Sequence, residues 1–320
     1  LANARHALWV SHLSEYSRAV EMHDPALLRM SQERLASDTS WPVHLLHALA
    51  DESVARLDGK ASFETFSAMG GAVSPDGSVL ALVMDAANGV VLLDAKDLHV
   101  VRVLNPGIRA WAVTFDPVHE RLLTADGNRL YVWDKPWKDS PRIITLPGEY
   151  GDGIAASPDG TRVAVSAQGN CCVIDLGTGN IVARSPGMSG STTRVAWSPD
   201  GKWIAMGVEP RTVRLLHAAD LSEVARIPAD AQRTLALAFD PSSQWLAFAG
   251  DMRVLHVCEV RNPSNERRLR LDHSVWGMSW KPQGGELAIA DRGSGVRLVR
   301  VPDDGSPLAL IGSFSGHPAE

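Results

Sequence analysis

Along this chain a proline recurs behind a small or apolar run and ahead of a turn, at Pro75, Pro117, Pro158, Pro199, Pro241 and Pro282. The intervals are 42, 41, 41, 42 and 41 residues. No other feature of the sequence constrains the fold as strongly. A unit of about 40–45 residues has room for four short strands but cannot bury its own apolar face alone. Several such units must therefore pack against one another, and the period implies the blades of a propeller.

The residues around each proline supply the strands. In the fourth copy Thr193-Arg194-Val195-Ala196-Trp197 alternates and reads as an inner strand. Pro199-Asp200-Gly201 reads as a tight turn, because Pro presets φ, Asp bonds the backbone locally and Gly takes a positive φ. Residues 203–206 form the return strand, with third and outer strands over 212–216 and 223–227. Ser74-Pro75-Asp76-Gly77 and Ser157-Pro158-Asp159-Gly160 keep the turn, while Asp116-Pro117, Asp240-Pro241 and Lys281-Pro282 vary it. Two residues before each proline stand Val73, Phe115, Ala156, Trp197, Phe239 and Trp280, a mostly large apolar set expected to pack between neighbouring blades. The opposite face carries Ala72, Thr114, Ala155, Ala196, Ala238 and Ser279, small enough for a crowded axis. Trp203 and Trp245, four residues after their prolines, fit either the lower face or a wedge between blades.

The residues before the first unit follow a different period. Trp9, Leu13, Tyr16 and Val20 form a stripe at helical spacing, and Asp24-Pro25 is an N-cap with proline at the first helical position. A short α-helical extension is expected over residues 1–52, ahead of an all-β propeller over 53–320. Phe314-Ser315-Gly316-His317 reads as the opening of a seventh repeat that then stops. The expectation is six complete four-stranded blades and an incomplete seventh, with 54–57 as a strand of that closing blade in a longer parent chain.

Net charge is −6 with a pI near 6.0, and no Lys/Arg-rich run occurs, which argues against a nucleic-acid partner. No stretch approaches the length of a membrane span, so no membrane insertion is expected within this segment. Cys171, Cys172 and Cys258 form an odd, sparse set with no zinc spacing. They read as small buried apolar residues in a reducing compartment, which points to the cytoplasm.

Motifs with a chemical mechanism are missing. There is no nucleophile elbow, no His-Glu-x-x-His, no P-loop and no dinucleotide fingerprint. Asp303-Asp304-Gly305 lacks the ligand spacing of a calcium loop, and the 11 histidines are scattered. No catalytic residue, no cofactor and no metal site is assigned.

Taken together, the units resemble the WD40 repeat family. Trp133-Asp134 is the one intact copy of the dipeptide that closes the family's third strand; Leu93-Asp94 and Ile174-Asp175 are partial. Gly316-His317 is the only Gly-His of the kind that opens a family repeat. Most blades lack the His and Trp of the family's buried polar network. The segments Ala7-Leu8-Trp9 and Trp41-Pro42-Val43-His44-Leu45-Leu46 ahead of a propeller look like bacterial multidomain WD40 proteins, notably planctomycete-type Ser/Thr kinase-associated ones. That resemblance implies a helical connector and an upstream domain on the same polypeptide.

Eight and six residues before the marker prolines, just ahead of the inner strands, lie Arg109 and Trp111, Tyr150 and Asp152, Arg233, and Trp276. Trp, Tyr and Arg are the residues enriched in binding hot spots. In the resembled family this rim of the channel mouth is a common docking face for peptides. The turns between second and third strands join the same face with Asp85, Asp126, Glu209, Asp251 and Asp291. The sequence therefore points to a non-catalytic protein–protein interaction scaffold within a larger bacterial signalling protein. The alternatives are a propeller enzyme of the hydrolase or lactonase type, a small-molecule sensor using the axial funnel, or a structural spacer. Asp152 is the only carboxylate at its phase, and one acid does not make a general acid/base pair.

Overall fold

A computed structural model describes residues 68–84, 89–95, 99–104, 110–137, 140–146, 150–167, 169–187, 189–292 and 295–315. The expected helical extension, residues 54–57 and Gly316-His317 lie outside them.

The described chain is all β: six four-stranded antiparallel sheets, each built from four consecutive strands. The first blade is β1 (Ala68–Val73), β2 (Val79–Met84), β3 (Gly89–Asp94) and β4 (Val100–Leu104), and the second is β5 (Ala112–Phe115), β6 (Leu122–Asp126), β7 (Arg129–Trp133) and β8 (Arg142–Thr145). The third comprises β9 (Tyr150–Ala156), β10 (Arg162–Ala167), β11 (Asn170–Asp175) and β12 (Ile181–Arg184). The fourth comprises β13 (Thr192–Trp197), β14 (Trp203–Val208), β15 (Thr212–His217) and β16 (Glu223–Pro228). The fifth comprises β17 (Thr234–Phe239), β18 (Trp245–Gly250), β19 (Val254–Glu259) and β20 (Glu266–Arg270). The sixth comprises β21 (Val275–Trp280), β22 (Glu286–Asp291), β23 (Gly295–Arg300) and β24 (Ala309–Ser315). The inner strands β1, β5, β9, β13, β17 and β21 lie side by side in that order, giving a six-bladed β-propeller. Phe314 and Ser315, read from sequence as the start of a seventh repeat, instead end β24, because they pair with Val296 and Gly295.

The turn after each inner strand is held as its residues dictate. Ser74 Oγ donates to Asp76 Oδ1 at 2.5 Å, and Val79 N donates back to Ser74 Oγ at 2.9 Å. The same pair of bonds recurs at Ser157, Asp159 and Arg162, and at Ser198, Asp200 and Trp203. Where Ser is replaced, Asp240 takes over and accepts from Trp245 N at 2.6 Å. These bonds hold Asp76 and Asp159 well below the usual carboxylate range, with the Ser74 and Ser157 hydroxyls as the main cause.

Five clusters of buried side chains, one at each junction between consecutive blades, make the core. The large residue two before the proline fills them as the pattern requires. Phe115 packs with Val83 and Leu92 of the first blade, Phe239 with Leu215 of the fourth, and Trp280 with Trp245 and Leu255 of the fifth. The small residues on the other face turn toward the next blade, where they receive that large side chain. Trp280 Nε1 donates to Ala238 O at 3.1 Å. Their smallness thus serves the junction and not an open axis. At Gly153 two inner strands approach closely: a Cβ there would stand 2.8 Å from Val195 N of the neighbouring inner strand.

Cys171 and Cys172 enter the cores on opposite sides of the third blade, and all three cysteines are buried with no disulfide between them. Trp133 is buried, and its Nε1 reaches Thr124 Oγ1 at 3.4 Å. In the fourth to sixth blades the Trp133 position holds Leu216, Cys258 and Val299, and the polar contacts are made two residues earlier, at the position of Tyr131. Arg214 bonds Glu223 at 2.6 Å and Pro186 O at 2.8 Å, His256 bonds Glu266, and Arg297 bonds Asp291 at 2.5 Å.

Candidate functional site

The end of the disk opposite the Pro-Asp-Gly turns carries the residues leading into the inner strands. Its geometry comes from a repeated irregularity. Pairing of β1 with β2 skips between Ala68 and Gly70, of β13 with β14 between Thr192 and Arg194, of β17 with β18 between Thr234 and Ala236, and of β21 with β22 between Val275 and Gly277. The extra residue is Met69, Thr193, Leu235 or Trp276, in each case six before the marker proline. In β9 the register breaks across Asp152 as well, between Tyr150 and Ile154. A β-bulge releases one residue from the ladder and re-aims its side chain. The nearer of the two positions chosen from sequence as the rim, six before the proline, is therefore the bulge position in these four inner strands.

The bulge residues divide into two groups. Thr193 is buried, and its hydroxyl donates to Thr234 O of the next blade at 2.6 Å; Leu235 is buried as well. Trp276, in contrast, is 45% exposed, and Trp111 is half-buried just ahead of β5, with its backbone N bonded to Ala125 O. Arg233 precedes β17 with its side chain 54% exposed and its Nε 2.9 Å from Glu209 Oε1. Tyr150 and Asp152 are placed within β9; their side chains, and the whole of Arg109, lie outside the described residues. The structure thus describes Trp111, Arg233 and Trp276 at the same end of three different blades.

The acidic turns between second and third strands share that end; Asp85 lies outside the described residues, and Asp126, Glu209, Asp251 and Asp291 each hold a partner. Asp251 accepts from Gln232 N at 2.9 Å and holds the segment that presents Arg233. Asp126 accepts from Arg129 N and Tyr131 Oη. Asp291 is buried against Arg297, whose Nη1 also reaches Asp272 at 3.0 Å. Gly250 lies beneath this rim: a Cβ there would fall 1.9 Å from Arg233 O. These partners were not legible in the sequence, where such turns read equally well as solvated loops.

Among the described residues no group of three or more His, Cys, Asp or Glu side chains is placed to hold a metal ion. Among them, no helix is long and apolar enough to cross a membrane.

The fold and its rim define a six-bladed β-propeller. A family model described as WD domain, G-beta repeat matches residues 180–216, which run from the outer strand of the third blade to the third strand of the fourth. Two solved structures share the architecture. A hydrazine synthase of Kuenenia stuttgartiensis is 19% identical with a TM-score of 0.65, over 76% of this chain and 79% of that one. A chain in a crystal structure of a mitotic checkpoint complex is 15% identical with a TM-score of 0.68, over 77% of each chain. No curated protein matches the sequence. The repeat match and the shared architecture support a WD40 β-propeller.

Proposed function

We propose that this propeller is a non-catalytic scaffold whose channel-mouth rim docks a protein or peptide. In this reading it is one module of a larger bacterial signalling polypeptide, joined to an upstream domain and working in the cytoplasm. WD40 propellers are typical protein–protein interaction scaffolds and are generally non-enzymatic. The observation that carries the reading is Trp276. It stands on a β-bulge, released from strand pairing, and presents nearly half its surface to solvent at the end where Arg233 is also exposed. Exposed Trp and Arg on a rigid frame are the residue types that dominate binding energy at interfaces. Arg233 is pre-oriented by Glu209, which lowers the entropy cost of using it.

The test is capture from the source cell with wild type and with Trp276→Ala combined with Arg233→Ala. Hot-spot residues each contribute about 2 kcal/mol or more, so the double variant should lose at least about tenfold in capture while melting like wild type. Equal partner lists and yields from a folded double variant would overturn the rim as the docking face.

A further inference from the structure

The segments that lead to Arg233 and Trp276 are each tethered from one position of the third strands. Arg214 of β15 pairs in register with Met206, His256 of β19 with Phe248, and Arg297 of β23 with Ile289. Those partners each stand seven residues after their marker proline, so the three side chains are structurally equivalent. All three reach the segment that enters the inner strand of their own blade. Arg214 Nη1 donates to Pro186 O at 2.8 Å, and Arg297 Nη1 donates to Asp272 Oδ2 at 3.0 Å. His256 Nε2 stands 3.4 Å from Oδ2 of Asp230, three residues before Arg233. Two of the three tethers carry a permanent charge. The middle one is a histidine, the side chain type whose charge changes between about pH 5 and 8.

The surroundings of His256 are narrowly defined. Its side chain is 1% exposed and lies flat on Phe248, 4.7 Å between ring centroids and 10° between planes. The stack fixes the plane of the imidazole, so its nitrogens meet only what stands at its edge. Nδ1 meets Glu266 Oε1 of β20. Nε2 meets Asp230 twice, 3.4 Å from carboxylate Oδ2 and 3.5 Å from the backbone N. Arg268 of β20 spans the two carboxylates, with Nη2 2.9 Å from Glu266 Oε2 and Nη1 3.4 Å from Asp230 Oδ2. Among the described residues no other charged group bonds or pairs with the ring. The fourth blade brings Val213, Leu215, Ile227 and Ala229 to the core on this side, all apolar.

The two contacts with Asp230 exclude each other. A neutral ring that keeps its proton on Nδ1 donates to Glu266 and leaves Nε2 an acceptor. Nε2 then takes the Asp230 N–H and repels the Asp230 carboxylate. A charged ring donates from both nitrogens. Nε2 then releases the N–H and grips the carboxylate. With the ring neutral, Glu266, Asp230 and Arg268 leave one net negative charge; with it charged, the group is balanced. The Asp230 and Arg268 side chains are 46% and 51% exposed, so a solvent proton reaches the ring along them without the core opening.

We infer that His256 is a proton switch for the rim segment 230–233: a proton taken from solvent on Nε2 moves its bond from the Asp230 backbone N–H to the Asp230 carboxylate and closes the segment onto the fifth blade. The movement is passed along a short, anchored stretch. Gln232 N is held by Asp251 Oδ1 at 2.9 Å, and Arg233 Nε by Glu209 Oε1 at 2.9 Å. The equivalent segments of the fourth and sixth blades, tethered by arginine, stay closed at every pH. The consequence for docking rests on the rim reading: a partner that needs the closed segment is captured more tightly on the acid side, in proportion to the closed population.

The test is NMR on the full chain without a partner, titrated between about pH 5 and 8. The His256 ring is expected to pass from one N–H to two as pH falls. The backbone amides of Asp230, Ala231, Gln232 and Arg233 should shift with the same midpoint, while Ser185 and Gly187, beside the segment held by Arg214, stay in place. Asp230→Asn, at a half-exposed position, should remove most of the shift at Ala231, Gln232 and Arg233. His256→Arg, the residue of the neighbouring blades, should hold the segment closed and abolish the response. Should that variant fail to fold, His256→Gln, neutral at every pH, should abolish it too. The inference is overturned by a ring that keeps one protonation state across the range, by a ring that titrates while the four amides stand still, or by undiminished shifts in Asp230→Asn or His256→Gln. These shifts are read on the free protein, so a rim that docks nothing leaves them intact and the two readings fail separately.

Discussion

Replacing Trp280 by Ala tests the inter-blade packing. The ring is only 7% exposed and is shared between the fifth and sixth blades, among Trp245, Leu255, Leu287 and Val299. Its Nε1 also bonds Ala238 O, so truncation leaves both a cavity and an unpaired carbonyl. Loss of a buried Trp or Phe side chain costs about 3–5 kcal/mol. With about 2–4 °C per kcal/mol for a domain of this size, the melting midpoint should fall by about 6–20 °C. The informative comparison is Trp197→Ala at the equivalent position of the fourth blade. Trp197 is half-buried, borders an open groove and bonds only the carbonyl of Gly201 in its own turn, at 3.3 Å. Its loss should cost about half as much, and Trp276→Ala should cost almost nothing. Thermal and urea unfolding of the three variants by circular dichroism gives the order directly. A Trp197 variant as damaged as the Trp280 variant, or an unstable Trp276 variant, would refute this account of the junctions.

Three further outcomes follow from the buried polar groups and the turns. Asp76, Asp159 and Asp200 have folded-state pKa values below the unfolded value of about 3.9, so their stabilisation is complete above that pH and is lost as pH falls through the folded values. The urea midpoint should therefore drop below about pH 4, and Asp159→Asn should flatten part of that slope. Glu223→Ala strands Arg214, whose side chain is 1% exposed, and should cost about 3 kcal/mol, whereas Arg214→Met, which removes the charge, should cost less in the same urea titration. Burial pushes the Cys258 thiol up to about 12 and raises Cys171 as well, so neither should react with a thiol reagent at neutral pH until the protein unfolds.

The sequence revealed the features that local chemistry repeats. Pro-Asp-Gly fixes a turn within four residues, so six prolines were enough to place six inner strands and the large residues that wedge between them. Features set by register were not visible. Arg102, Arg142 and Arg267 of the outer strands stand 27, 25 and 26 residues after their marker prolines, so counting from the prolines does not align them, whereas strand pairing does. The Trp133 position is apolar in the later blades, as the letters say, but two residues earlier Arg214, His256 and Arg297 make ion pairs that the sequence did not announce. The rim positions were found by counting back from the prolines, but alternation alone could not tell which would face solvent. The bulge puts one residue out of phase, and its fate depends on the next blade, which captures Thr193 and leaves Trp276 outside.

The central claim is that the end of the disk bearing Trp276 is the one that docks a partner. Hydrogen exchange of the protein with and without its captured partner tests it most directly. Protection is predicted in the segments 110–112, 150–153, 232–235 and 274–277, with the outer strands unchanged. Protection confined to the outer strands or to the Pro-Asp-Gly turns, with the rim exchanging as freely as before, would contradict it.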